Sequence, residues 1–291
     1  MNNGVTLDAS DVEGAYAGLT VTKVLPPSGQ KQVFICEDTS GTKYVAKFVQ
    51  LDYLVYNNVY MRRIDVEERT KRELNLMSRY TSPHLPSLAS AFVESRITKQ
   101  GIEFHCFVED YAGSSTVRDL LAVSGTITEN DVKQIIIDTT EALKIYAGDG
   151  IVHRDIKPEN IILNEVDGNY ILIDAGVHLD PANATISNSP VGTPIYFSPE
   201  QARGTRRDLD SRSDIYALGI VAYEATTGVH PFIHGAISSS DVEDAVLNAK
   251  LPTDIDLAAT CPSLAATIQK MLNLHPYLRH TNPDALLLEL R

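Results

Sequence analysis

The sequence predicts an α+β chain of two lobes, a small strand-rich one followed by a larger helical one. Three observations carry this. The chain has 291 residues, long for one simple domain, and 43% of them are hydrophobic, enough for a sizeable core. From residue 19 to residue 109 short strand-like runs alternate with turn signals around a single helical stretch. Beyond residue 128 helical periods take over, one with an apolar stripe and one apolar nearly all round.

Charge narrows the partners. There are 25 basic against 38 acidic residues, a net charge of −13. Such a surface is not built to follow a polyanion, which excludes nucleic acid and anionic membrane as partners. Cys36, Cys106 and Cys261 are scattered without metal-ligand spacing and read as buried free thiols of a reducing compartment. The first eight residues lack a charged-then-apolar leader, and no stretch approaches the roughly eighteen apolar residues of a membrane span. Together these predict a cytoplasmic protein. No internal repeat or low-complexity segment is present.

Residues 1 to 16 are polar and contain Gly and Ala; they read as a flexible lead-in or a short strand laid on the first lobe, and 1–18 is set apart on that ground. Leu19 to Leu25 alternates as a strand. Residues 32–36 and 43–49 follow, separated by the turn signal Asp38-Thr-Ser-Gly41. Together they predict an antiparallel three-stranded start. Residues 50–63 form a tyrosine-rich segment that either docks a partner or merely covers the lobe. Ile64 to Tyr80 reads as a helix on which Val66, Thr70, Glu73 and Met77 share one face, Glu73 being the anomalous charge there. Glu67, in register with Leu74, is its rival. Residues 90–97 and 101–108 read as two more strands. Thr128 to Ala147 is an amphipathic helix striped by Val132, Ile135, Ile136, Thr139, Leu143 and Tyr146 and stopped by Gly148 and Gly150. Residues 213–228 predict a buried helix capped by Ser213, and helical segments follow near 241–249, 262–273 and 283–290.

The chemistry concentrates in Ile151-Val-His153-Arg154-Asp155-Ile-Lys157-Pro-Glu-Asn160 and Tyr170-Ile-Leu-Ile-Asp174-Ala175-Gly176. One carboxylate stands five residues before a carboxamide, and a second carboxylate follows fourteen residues after that. Phosphoryl transfer to a hydroxyl asks for such a set: one carboxylate to accept the proton, an amide and a second carboxylate to hold a hard cation on the phosphates. The pattern H-R-D-x-x-x-x-N, then D-x-G, resembles the eukaryotic-like protein kinases, and Lys157 resembles their Ser/Thr branch. The Lys-Pro-Glu-Asn160 run and Gly192-Thr-Pro-Ile-Tyr-Phe-Ser-Pro-Glu-Gln201 are most similar to the bacterial Ser/Thr protein kinases. The resemblance covers residues 19 to 290.

That resemblance implies a bilobal protein kinase fold, with a β-rich N-lobe over 19–109 holding one main helix and a helical C-lobe over 110–291. It implies transfer of the ATP γ-phosphoryl group to protein Ser or Thr hydroxyls, with autophosphorylation, and Mg²⁺ or Mn²⁺ as cofactor. Asp155 is then the general base and Lys157 neutralises the transferring phosphoryl group. Asn160 and Asp174 are the metal ligands. Val45-Ala46-Lys47 resembles the strand whose lysine, here Lys47, pairs with the phosphates and with the helix glutamate, here Glu73. Val33, Ala46, Asp110, Tyr111 and Ala112 complete the ATP-binding set, adenine bonding the backbone of 110–112. The deep pocket residue is Glu109, or Val108 if the register slips by one. Asp214 braces the catalytic loop, and Arg279 pairs with Glu200. Arg154 is a ligand for a phosphorylated residue in the loop that follows, where Thr185, Ser187, Ser189 and Thr193 are the candidate phosphosites.

Two departures from the family stand out. The glycine-rich turn is missing: Pro26, Ser28 and Lys31 occupy the glycine positions, and Gly29 is out of register. Glycines there let backbone N–H groups approach phosphate, whereas Pro26 and Pro27 carry no N–H. Lys31 is either a substituting point charge or a solvated turn residue. The phenylalanine after the metal aspartate is Ala175. These departures keep two alternatives open: a pseudokinase, serving as a binding or scaffold module, and a small-molecule kinase. The protein substrate and the oligomeric state, a dimer included, stay open.

Overall fold

The computed structural model describes residues 5–27, 30–51, 54–56, 59–61, 63–174, 194–204, 209–233, 245–248 and 256–291. The chain divides into two units, Met1–Thr81 with Pro86–Tyr111, and Ser82–Leu85 with Ala112–Arg291.

In the first unit the elements run α1 (Ala9–Ala15), β1 (Leu19–Val24), β2 (Lys31–Asp38), β3 (Lys43–Gln50), β4 (Leu54–Tyr56), β5 (Val59–Met61), α2 (Arg63–Arg79), β6 (Ser95–Lys99) and β7 (Ile102–Asp110). β1, β2, β3, β7 and β6 form one antiparallel sheet in that order, and β4 pairs with β5. Alternation along the strands gives the sheet two faces. Phe34, Cys36, Ala46, Phe48, Phe104, Cys106 and Val108 fill one face. Val49 and Phe107 look the other way, onto Val66, Leu74 and Met77 of α2.

The N-terminal segment is neither a flexible lead-in nor a strand. It is the helix α1, and Leu7, Val12 and Tyr16 are buried in the core of the first face. Asp8 caps it by accepting from the Ser10 and Asp11 N–H groups, while the Asp11 carboxylate accepts from Asp8 N–H at 2.8 Å. Lys99 of β6 reaches both carboxylates, at 2.9 and 2.5 Å. The segment 50–63, expected to cover the lobe or dock a partner, contains the β4–β5 pair. The strand expected at 90–97 begins later, at Ser95, because Ala89 and Phe92 close a turn (Phe92 N to Ala89 O, 3.0 Å) first.

In the second unit the elements run β8 (Ser115–Thr116), α3 (Val117–Ser124), α4 (Glu129–Gly148), a 3₁₀ turn at Pro158–Asn160, β9 (Ile161–Leu163), β10 (Tyr170–Leu172), α5 (Pro199–Ala202), α6 (Ser211–Thr227), α7 (Leu257–Thr260), α8 (Ala265–Met271) and α9 (Pro283–Leu290). All six stripe residues of α4 are buried, and the helix packs on α6, α9 and β10. α6 is buried at every position from Ser213 to Thr226, as its all-round apolarity predicts. Its cap is Asp210 rather than Ser213, which is buried and donates to Glu200 Oε1 at 2.7 Å. α3 escaped the hydrophobic pattern because it is a helix of only two turns. Its signature is the capping box Thr116-x-x-Asp119, each side chain bonding the other's backbone. The helix expected near 241–249 lies largely outside the described residues.

Candidate active site

Each unit builds its own set of polar groups. In the first, β3 carries Lys47, and the antiparallel register sets Val33 of β2 and Phe107 of β7 opposite it. Val45 faces Glu109, two residues along on the same side of the sheet. Lys47 is buried, which for an amine demands carboxylate partners. It has two. Its Nζ is 2.8 Å from Glu109 Oε1 and 3.6 Å from Glu73 Oε1. Glu73 in turn accepts from Lys31 Nζ at 2.8 Å.

Several sequence expectations resolve at this point. Val66, Thr70, Glu73 and Met77 are all buried on one face of α2, and Glu73 is the glutamate among them. Its rival Glu67 pairs instead with Arg63 and Arg96. Lys31 is not a solvated turn residue; it opens β2 and is ion-paired with Glu73. Glu109 is 3% exposed and shares the Lys47 face, whereas Val108 is in the core of the opposite face, so the register is fixed at Glu109. Ala46 needs a correction. It lies on the face away from Lys47, packed with Phe34, Phe48 and Val108. A strand alternates strictly, so the residue two before Lys47, Val45, takes the position assigned to Ala46. Asp110 accepts from Ser87 Oγ at 2.5 Å, and the Lys43 ammonium is 5.6 Å from the Tyr111 ring centre. Ala112 opens the second unit, followed by Gly113 with φ of +155°. A Cβ on Gly113 would come within 2.0 Å of the Leu163 carbonyl oxygen, so only glycine fits there.

In the second unit the loop between α4 and β9 is pinned from below. Asp214, at the start of α6, accepts the N–H of His153 and of Arg154, each at 2.8 Å. Arg154 adopts a left-handed φ of 69°, uncommon for a residue other than glycine, and the two N–H bonds to Asp214 hold this corner. Gln201 Nε2 donates to the Arg154 carbonyl at 3.1 Å. Burial pushes the Asp214 carboxyl up to about 7 against these two N–H bonds, which favour its ionised form. His153 is fully buried, and burial pushes its imidazole down to about 4 although the Asp155 and Asp174 carboxylates pull the other way. The neutral ring accepts from Asp155 N–H through Nδ1 at 3.4 Å.

Above this base Asp155 is gripped at one oxygen. Lys157 Nζ donates to Oδ2 at 2.8 Å, and Asn160 Nδ2 donates to the same atom at 3.0 Å and to the Asp155 carbonyl at 2.9 Å. Ile173 N–H donates to the Asn160 carbonyl at 2.9 Å, which brings the strand leading to Asp174 beside Asn160. Asp174 has a left-handed φ of 60°. The Asn160 amide oxygen and the Asp174 carboxylate are hard oxygen donors of the kind Mg²⁺ takes alongside phosphate and water. Among the described residues no group of three His, Cys, Asp or Glu side chains could hold a metal unaided.

Glu200 and Arg279 meet at 2.6 and 3.0 Å, with Ser213 on the same carboxylate and the guanidinium 4.5 Å from the Tyr216 ring centre. This is the pair the sequence anticipates. Ser198, at the alanine position of the family motif, caps α5 through a box with Gln201. Arg118 of α3 was not anticipated. It bridges Glu159 and Glu224, each at 2.8 Å, and contacts the Tyr196 hydroxyl. Ala175 and the candidate phosphosites Thr185, Ser187, Ser189 and Thr193 lie outside the described residues.

Comparison with known proteins agrees with this geometry. Residues 30–289 match the protein kinase domain family, and the chain belongs to that family. It is 32% identical over 210 residues to the probable serine/threonine-protein kinase PknB of Bifidobacterium longum, covering 70% of this chain and 29% of that protein. Serine/threonine-protein kinase PrkC of Bacillus subtilis is 31% identical over 224 residues, covering 76% and 32%. Serine/threonine-protein kinase pkn3 of Myxococcus xanthus is 31% identical over 226 residues, covering 73% and 40%. The chain thus spans 29 to 40% of the length of these curated relatives. The family uses ATP and a divalent metal. Among the described residues no helix is long and apolar enough to cross a membrane.

Proposed function

We propose that the chain transfers the γ-phosphoryl group of ATP to serine or threonine hydroxyls of proteins. The observation that carries this reading is the grip on Asp155. Lys157 and Asn160 converge on one of its oxygens, and Asp214 fixes the backbone on which it stands. A carboxylate oriented in this way accepts the substrate hydroxyl proton as the oxygen attacks phosphorus, an effect worth about 10²–10⁴-fold in rate. Lys157, beside it, offers a positive charge to the phosphoryl oxygens. Asn160 and Asp174 would hold Mg²⁺, which neutralises charge on the phosphates. In the first unit Lys47 supplies the amine for the α- and β-phosphates, and Val33 and Val45 share its face. The backbone of Asp110, Tyr111 and Ala112 is the stretch for adenine. Relatives with serine/threonine kinase names support the choice of hydroxyl, and the Glu200–Arg279 pair supports a peptide substrate, since it anchors the close of the segment that presents one.

Two observations favour a second reading, a nucleotide-binding module without transfer. Pro26 and Pro27 remove N–H groups from the turn, and Lys47 stands closer to Glu109 than to Glu73. Labelling with γ-³²P-ATP and Mg²⁺ separates the two. Wild type should phosphorylate itself or a generic protein substrate on Ser or Thr, and Asp155→Asn should lose at least about 10²-fold. Equal labelling by both proteins, or none by a folded wild type that binds ATP, would overturn the proposal.

A further inference from the structure

In the turn where the family places glycines, Pro26 and Pro27 carry no N–H to offer a phosphate. The side chains next to it supply something else. Lys31 opens β2 opposite Val49, and Val33, two residues on, is opposite Lys47. Strand alternation therefore puts Lys31, Val33, Lys47 and Val49 on one face, with the two lysines diagonal neighbours, a separation that long side chains bridge. Both ammonium groups turn to the same carboxylate: Glu73 Oε1 is 2.8 Å from Lys31 Nζ and 3.6 Å from Lys47 Nζ. Lys47 is held on its other side by Glu109 at 2.8 Å. The result is a chain of alternating charge, Lys31, Glu73, Lys47, Glu109, in which the cation nearer the turn has taken the closer place on the helix glutamate.

The two lysines differ in access. The Lys47 side chain is 5% exposed and the Lys31 side chain 21%. The Lys31 ammonium, the more exposed of the two, is the one an anion arriving from solvent meets first. Two cations on one face, beside the carboxylates Glu73 and Glu109, suit a polyanion with several oxygens. They add nothing for a neutral nucleoside.

We propose that Lys31 is a second phosphate-contacting residue of the nucleotide site, which shares Glu73 with Lys47 and makes up for the donors that Pro26 and Pro27 withhold. The proposal rests on the reading that the Lys47 face binds ATP. Its chemistry is a charge-assisted hydrogen bond from Nζ to a phosphate oxygen, of the kind worth about ten- to a hundredfold in affinity.

Calorimetric titration of the full chain with ATP and, separately, with adenosine, both in Mg²⁺, tests it. Lys31→Met should weaken ATP about tenfold or more while adenosine affinity stays within about twofold, and Lys31→Arg should restore most of the loss. ATP affinity of Lys31→Met within about twofold of wild type would overturn the proposal, as would equal losses for ATP and adenosine, which mean a structural role only. Acylation of wild type by an amine-reactive reagent, read by mass spectrometry, needs no variant. ATP but not adenosine should protect Lys31. Protection of Lys47 without Lys31 would sink this proposal alone; protection of neither would sink the nucleotide reading beneath it.

Discussion

Lys47 shows how one residue's surroundings set its chemistry. A buried amine shared by two carboxylates is held firmly, and a triphosphate has to compete with both. Glu109→Gln keeps the shape and removes one competitor. KM for ATP should then fall severalfold, measured by initial rates; an unchanged or higher KM would show that Glu109 does not hold the amine back. Arg279 makes the complementary point for stability. Its side chain is completely buried against Glu200. Arg279→Met would strand that carboxylate, at a cost of about 3–5 kcal/mol in chemical denaturation, whereas an exposed pair such as Lys270–Glu289 would give about 1 kcal/mol or less.

Elements whose residues all report one period were legible in advance. The stripe of α4 and the apolar surround of α6 each repeat over several turns, so their burial follows from spacing alone. α1 and α3 were not legible, because seven and eight residues are too few for a period to show. What marks them is at their ends: Asp8 with Asp11, and Thr116 with Asp119. Asp8→Ala should accordingly cost about 1 kcal/mol and loosen α1 from the sheet, seen as faster amide exchange around Val12. A variant with unchanged stability and exchange would mean that burial of Leu7, Val12 and Tyr16 holds α1 without its cap. Gly113 belongs to this scale too. At φ of +155° against the Leu163 carbonyl, Gly113→Ala forces the start of β8 off β9 and should cost about 1–3 kcal/mol or more.

For the folded chain as a whole, two buried groups beneath the catalytic loop give opposing responses to pH. His153 is held at about 4 against an ordinary 6.5, so the unfolded chain takes up a proton that the fold refuses. Its contribution is complete above 6.5 and is lost as pH falls toward 4. Asp214 is pushed to about 7 from 3.8, so the fold keeps a proton that the unfolded chain releases. Its contribution is complete below 3.8 and is lost as pH rises toward 7. In wild type the two slopes offset one another. Asp214→Asn removes the falling one, and Tm of the variant should climb more steeply between pH 4 and 7 than that of wild type. Parallel curves, by calorimetry, would show that Asp214 does not titrate in this window.

The sequence by itself determined the family and the loop on which the proposed site is built, because Asp155, Lys157, Asn160 and Asp174 are fixed to one another by short spacings along the chain. It also determined Glu73, whose charge interrupts an otherwise buried helix face. Only the tertiary structure decided which side of the sheet each strand residue takes, that Glu109 rather than Val108 stands with Lys47, and that Val45 replaces Ala46 there. It alone showed Lys31 on Glu73. The physical reason is that pairing between distant strands depends on register, and a slip of one residue, invisible in a short motif, sends every side chain to the opposite face.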